Sequence, residues 1–142
     1  MNAQEMWQAS GLAGEYEAWA FGDDPNTLAQ LVRSGVKTAT ASAYALYELE
    51  GEELPQPGEF SVILDADEHA VCIIRTTRVH VTPYREVTAE QAYKEGEGDR
   101  SLAYWRAVHE AFFKREMEAA GLTFTEDMGV VCEEFEVVYG GA

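Results

Sequence analysis

Basic residues are scarce. Ten Lys and Arg stand against 26 Asp and Glu, a net charge of −16. Such a surface repels polyanions, so DNA is not expected as a partner and long RNA is disfavoured. A small, weakly charged substrate meets no such barrier, although acidity by itself also serves solubility. Cysteine is nearly absent, with only Cys72 and Cys132. Each sits in an apolar, strand-like run, so buried free thiols rather than a disulfide are expected, as in a cytoplasmic chain. No CxxC or paired histidine accompanies them, which argues against a zinc site, and no metal is expected. No apolar run approaches the roughly 20 residues that span a membrane. Met1-Asn2-Ala3-Gln4-Glu5 has no basic region leading into an apolar segment, so no signal peptide is expected. GxGxxG after a strand, a Walker motif, HExxH and GxSxG are all missing, which argues against a Rossmann fold and the commonest cofactor and hydrolase signatures. No cofactor is expected.

What is there fits a globular chain. The 142 residues are 46% hydrophobic and 11% aromatic, enough for one domain, 1–142, with its own core. The most unusual stretch is Ser34-Gly35-Val36-Lys37-Thr38-Ala39-Thr40-Ala41-Ser42. Gly35 follows an amphipathic run and reads as a left-handed helix terminator. The alternation beyond it predicts a strand with Thr38, Thr40 and Ser42 on one face and Lys37 and Ala39 on the other. If the chain is still turning at Lys37, its side chain can swing to the Thr40 hydroxyl. A desolvated lysine beside a hydroxyl is a base–nucleophile pair; on an ordinary strand start it is nothing more than packing.

Along the chain, Glu5 to Ala18 reads as a helix bent near Gly11 and Gly14. The aromatic cluster Tyr16 to Gly22 follows, with Trp19 and Phe21 either plugging the core or walling a pocket that stacks a planar ring. Asp24 or Asn26 caps a short helix carrying Leu28, Leu31 and Val32. Tyr44 to Leu49 adds a helical turn, and Glu48 to Glu59 is an acidic loop punctuated by Pro and Gly. Phe60 to Asp65 and Ala70 to Val81 form a hairpin, the second strand bulged midway. His80 has no partner at ligand spacing. Thr88 caps a short helix, with Gln91 at the capping-box position. Tyr93 to Ser101 then interleaves glycines with carboxylates, the pattern of a functional loop or of an acidic connector. Asp99 or Ser101 caps the longest helix, to about Ala120, whose Trp105 and His109 lie one turn apart as a structural pair. Val130 to Tyr139 is the last strand. The order predicts an α+β fold with a small mixed sheet that curls toward a barrel.

Two stretches together carry a resemblance. Gly35-Val36-Lys37-Thr38-Ala39-Thr40 is similar to the GxKxxT signature of ASCH domains, members of the PUA-like superfamily. Glu95-Gly96-Glu97-Gly98-Asp99-Arg100-Ser101-Leu102, followed by Trp105 and His109, resembles the corresponding segment of a bacterial subgroup. Trp19 to Gly22 and Val131 to Phe135 resemble that subgroup as well, so the likeness spans nearly the whole chain. It implies a small mixed PUA-like β-barrel with flanking helices, and a cleft where GxKxxT meets the acidic loop. It also implies one of two activities: removal of the acyl group of N4-acetylcytidine by an amidohydrolase, or RNA binding or cleavage; recognition of a modified nucleoside without turnover is a third hypothesis beside them.

For the amidohydrolase, the resemblance implies catalysis by Lys37, Thr40 and Glu95, with Glu97 competing for the last role. Thr40 is then the nucleophile, Lys37 takes its proton, and Glu95 protonates the leaving nitrogen, which calls for a carboxyl that keeps its proton. Alternatively Lys37 and Glu95 activate a water and Thr40 positions the substrate. Trp19, Phe21, Tyr93 or Trp105 stacks the pyrimidine, and Ser42, Glu97, Arg100 and Ser101 complete the binding set. For RNA, Arg75, Arg78, Lys94 and Arg100 have to line one groove, with Lys37 and Ser101 recruited for cleavage. The chain departs from the short amidohydrolases in its acidic loop, its N-terminal helices and the long helix after Ser101.

Overall fold

A computed structural model describes residues 1–141. The chain runs α1 (Ala3–Ser10), β1 (Tyr16–Ala20), α2 (Pro25–Arg33), β2 (Ala39–Ala43), α3 (Tyr44–Glu50), β3 (Phe60–Leu64), β4 (Ala70–Pro83), a 3-10 turn (Tyr84–Glu86), α4 (Ala89–Glu95), α5 (Leu102–Ala119) and β5 (Gly129–Tyr139). The strands form one sheet in the order β1-β3-β4-β5-β2. The β1–β3 pair is parallel and the other pairs are antiparallel. This is the mixed α+β sheet expected, curled into a half-barrel with helices against it. Register shifts at Ile73/Ile74 and Thr76/Arg78 bend β4 midway, as its length suggests.

One element differs from the sequence reading. The helix predicted from Glu5 to Ala18 stops at Ser10, and Tyr16–Ala20 is an edge strand. Gly11 and Gly14 both adopt positive φ, which breaks the helix instead of bending it. Beyond them, Tyr16 stacks on Trp7 at 4.6 Å while Trp19 meets Phe21 at 5.0 Å. The two aromatics serve opposite faces, as strand residues of opposite parity must. Tertiary pairing with β3 overrides local propensity there.

The sheet's two faces are read by residue parity. Val62 and Ile73 pack under α1 with Met6. Ile63, Cys72 and Ile74 face α2 with Ala29, Val32 and Phe135. A third cluster gathers Trp105, Phe113 and Met117 of α5 against Tyr84, Val130 and Cys132. Both cysteines are free and buried. Burial pushes their thiols up, Cys72 to about 11 and Cys132 to about 12, so neither is reactive at neutral pH. No helix among the described residues is long and apolar enough to cross a membrane.

Candidate active site

Lys37 is delivered by the turn that ends α2. Val36 and Lys37 both donate their backbone N–H to the Leu31 carbonyl at 3.0 Å, and Gly35 takes φ +82° to allow it. Thr38 then locks this corner, donating to the Lys94 carbonyl at 2.7 Å and accepting from Phe135 N at 3.1 Å. The strand starts only at Ala39, so the Lys37 side chain is free to turn inward. It is 1% exposed. Its ammonium donates to Glu97 Oε2 at 3.0 Å, the Glu95 carbonyl at 3.4 Å and Glu95 Oε1 at 3.5 Å. The Phe21 ring lies 5.4 Å away. Three donors have three acceptors, and the Thr40 hydroxyl is not among them.

Glu95 closes α4. Gly96, left-handed at φ +71°, terminates the helix and lets the chain return Glu97 to the same ammonium. Both Glu95 oxygens are occupied. Oε2 accepts from Trp105 Nε1 at 2.5 Å and Gln91 Nε2 at 3.1 Å. Oε1 faces Lys37 and, at 3.3 Å, His109 Nε2. Burial pushes this carboxyl up, but the Lys37 charge, the His109 contact and the Trp105 hydrogen bond outweigh it and hold the group below the usual range. An acid for the leaving nitrogen has to keep its proton. Glu95 is the reverse, an anchored carboxylate.

His109, read from sequence as a structural partner of Trp105, belongs to this cluster. Its ring stacks on Trp105 at 4.1 Å, and Nδ1 donates to the Trp105 carbonyl at 2.9 Å. Glu95, Glu97 and His109 have ligand atoms within 4.8 Å of one another, so they could grip a cation, but the Lys37 ammonium already fills that position. Asp65, Asp67 and His69 form a second such group on the exposed β3–β4 hairpin.

A cleft of about 1000 Å³ opens over the cluster. Lys37, Thr40, Ser42, Glu95, Glu97, Trp19 and Phe21 all line it. Four other predicted residues do not. Trp105 is buried at 3%, its indole spent on Glu95 and His109, so it positions the carboxylate and is not available to stack a base. Tyr93 is 57% exposed and carries the Arg100 guanidinium 3.7 Å over its ring. Arg100 also donates to the Tyr93 carbonyl, and Ser101 caps α5 by accepting from Tyr104 N. Gln91 does not complete a capping box. Thr88 accepts from its backbone, but the Gln91 side chain turns to Glu95 and the Thr40 carbonyl.

The strands contribute a polar row to the floor: Ser61 of β3, Thr76 of β4, Glu133 of β5 and Thr40 of β2. Tyr47 joins it through a 2.9 Å hydrogen bond to Ser42, and burial pushes its phenol up. Glu133 was not singled out from sequence, although a signal existed. It shares the parity of Val131 and Phe135, so an acid occupies a buried-face position.

The pH dependence of stability follows from Glu95. Its folded-state value lies below its ordinary 4.5, so its contribution is complete above pH about 4.5 and lost as pH falls further. The urea midpoint is expected to drop below that pH, and Glu95→Gln to flatten the drop. An unchanged acid limb in the variant would remove Glu95 as its source.

The five-strand half-barrel with helices against it matches the ASCH and PUA-like fold. The chain belongs to the ASCH domain family, whose model matches residues 17–139. A crystallised ASCH domain from Lactobacillus crispatus JV V101 is 35% identical, covering 96% of this chain and 93% of that one, with a TM-score of 0.90. A crystallised Enterococcus faecalis V583 protein is 37% identical over 97% of this chain and 88% of its own, with a TM-score of 0.86. A hypothetical protein at 16% identity and TM-score 0.60 shares the fold alone, over 87% of this chain and 99% of its own. No curated protein matches.

Proposed function

We propose that the protein hydrolyses the acyl amide of N4-acylated cytosine nucleosides, with N4-acetylcytidine as the representative substrate. The observation that carries this reading is the buried Lys37–Glu95–Glu97 cluster at the floor of a cleft whose other charged lining residues, His109 aside, are all acidic. Glu17, Asp23, Glu50, Glu52, Glu53, Glu59 and Glu116 all line it. A neutral nucleoside enters such a cleft without penalty, and a phosphodiester chain does not.

Amide hydrolysis needs a nucleophile, a base for it and a donor for the developing oxyanion. Lys37 has its three protons directed at Glu97 and Glu95, which does not suit a base; the N–H released when Glu97 takes a proton suits the oxyanion role. Glu97 has one oxygen on Lys37 and is 17% exposed, so it can take the proton of an attacking water. Thr40 then orients the substrate. This favours the water route over direct attack by Thr40. Phe21 and Trp19 supply an apolar wall for the pyrimidine ring.

ASCH domains can also be RNA-binding, but the basic residues that reading needs are committed elsewhere. Arg75 pairs with Glu136, Arg78 with Glu134, and Lys94 with Glu90 and Glu134. None of these, nor Arg100, lines the cleft.

The test is ultraviolet-monitored hydrolysis of N4-acetylcytidine by wild type, Lys37→Ala, Thr40→Ala and Glu95→Ala. Turnover is expected in wild type, with collapse in the Lys37 and Glu95 variants. The water route leaves Thr40→Ala measurably active, whereas a Thr40 nucleophile leaves it dead. A wild type without turnover overturns the reading and moves attention to a short RNA oligonucleotide, bound or cut in a salt-dependent manner.

A further inference from the structure

Glu95 cannot give up a proton it does not hold, so the departing nitrogen needs another donor. We propose that Glu133 is the catalytic acid, passing its proton to ring N3 of the cytosine as the acyl C–N4 bond breaks. The assignment rests on the amidohydrolase reading.

The geometry supplies each element. Glu133 pairs with Thr40 across the β2–β5 ladder. Directly opposite residues project to the same face, so the carboxyl emerges beside Thr40 on the cleft floor. Thr76 Oγ1 donates to Glu133 Oε2 at 2.6 Å, which fixes the carboxyl plane. No hydrogen-bond partner takes Oε1 among the described residues, and Oε1 is not among the fully enclosed atoms. One oxygen is therefore held while the other faces the cleft.

The surroundings favour a proton there. The residue is 9% exposed. Its charged neighbours are Glu59 from the loop before β3 and Glu17 from β1, with the Tyr47 phenol on α3, and no cation pairs with it among the described residues. Burial raises the Glu133 carboxyl and the two carboxylates add to it, against the smaller lowering by Thr76. The cleft thus holds two carboxyls driven apart, Glu95 down and Glu133 up, which is how one site separates its anionic and acidic roles.

The step balances. Water adds its oxygen to the acyl carbon and gives a proton to Glu97. Lys37 holds the oxyanion. As the tetrahedral carbon re-forms its carbonyl, the C–N4 pair moves into a C4=N4 double bond, and the ring electrons it displaces take the Glu133 proton at N3. The base leaves as its imino tautomer and returns to the amino form by moving that proton from N3 to N4. The proton on Glu97 restores Glu133 through solvent. The cleft-facing oxygen of a neutral carboxyl matches this edge, since as a hydroxyl it donates to N3 while the other oxygen accepts from Thr76.

Leaving-group dependence provides the test. Glu133→Gln keeps the shape and hydrogen-bonding pattern but has no proton to transfer. On N4-acetylcytidine, kcat is expected to fall about 10²-fold, within the usual range for general-acid loss, with KM nearly unchanged. On p-nitrophenyl acetate, whose leaving group needs no proton, the variant should stay within about threefold of wild type. Wild-type kcat should also decline as pH rises through the Glu133 titration. Thr76→Val, which removes the hydrogen bond favouring the ionised form, should move that decline to higher pH. Equal loss on both substrates, or Glu133→Gln within threefold of wild type on N4-acetylcytidine, overturns the assignment while leaving the amidohydrolase reading intact. A wild type with no N4-acetylcytidine turnover overturns both.

Discussion

Lys37→Met is expected, on the amidohydrolase reading, to lower turnover of N4-acetylcytidine by about 10²–10³, the usual loss of an oxyanion-stabilising donor, and to cost about 3–5 kcal/mol of folding stability. Methionine matches lysine in length and removes only the charge and its donors. It leaves the Glu95 carboxylate, 1% exposed, without the cation that offsets its desolvation, and Glu97 without its 3.0 Å contact. Breaking one side of a buried pair costs more than the pair contributes, because a charge is stranded. The double variant Lys37→Met, Glu95→Gln should therefore be more stable than Lys37→Met alone, while remaining inactive. Urea titrations of the four proteins in the cycle measure this. A single variant within about 1 kcal/mol of wild type would falsify the claim that the charge is compensated in the folded state.

Gly96→Ala should be the other large effect. A Cβ at Gly96 would stand 2.5 Å from the Val36 carbonyl oxygen, on a backbone already at φ +71°. The carbonyl is main chain, so one segment must shift. Any shift moves Glu95 and Glu97 relative to Lys37, which immediately follows Val36. About 2–4 kcal/mol of destabilisation is expected, as strain at a special φ adds to a steric clash, together with loss of turnover. Gly51→Ala provides the comparison. Its φ is +67°, but a Cβ there meets nothing within 4 Å, so it should cost only about 1 kcal/mol. Thermal unfolding of the two variants separates the close approach from the dihedral alone. Equal midpoints would show that the approach to Val36 carries no weight.

Local features were readable in the sequence. Gly35, the Thr88 and Ser101 caps and the β3–β4 hairpin obey rules that act within a few residues. Lys37, Glu95 and the cleft between them were reachable because the GxKxxT and EGEGDRSL patterns resemble a known family. The rest depends on contacts that close long loops. Lys37 and Glu95 are 58 residues apart, and nothing between them tells whether the carboxyl is held charged or neutral. Trp105 looked like a stacking platform because sequence gives its ring but not the direction of its N–H. His109 looked structural because its second nitrogen meets a residue on another helix. Tyr16–Ala20 was missed as a strand because its parallel partner β3 lies beyond two helices, a strand and a loop.

The acidic rim has a further consequence on the amidohydrolase reading. The reaction turns a neutral substrate into a neutral nucleoside and a carboxylate. That anion forms between Glu97 and Glu133, with Glu17, Glu59 and Glu116 along its way out. Like charges repel most strongly where water is scarce, so the same lining that admits the substrate without cost expels the acid it becomes. Inhibition by added acetate should therefore be weak.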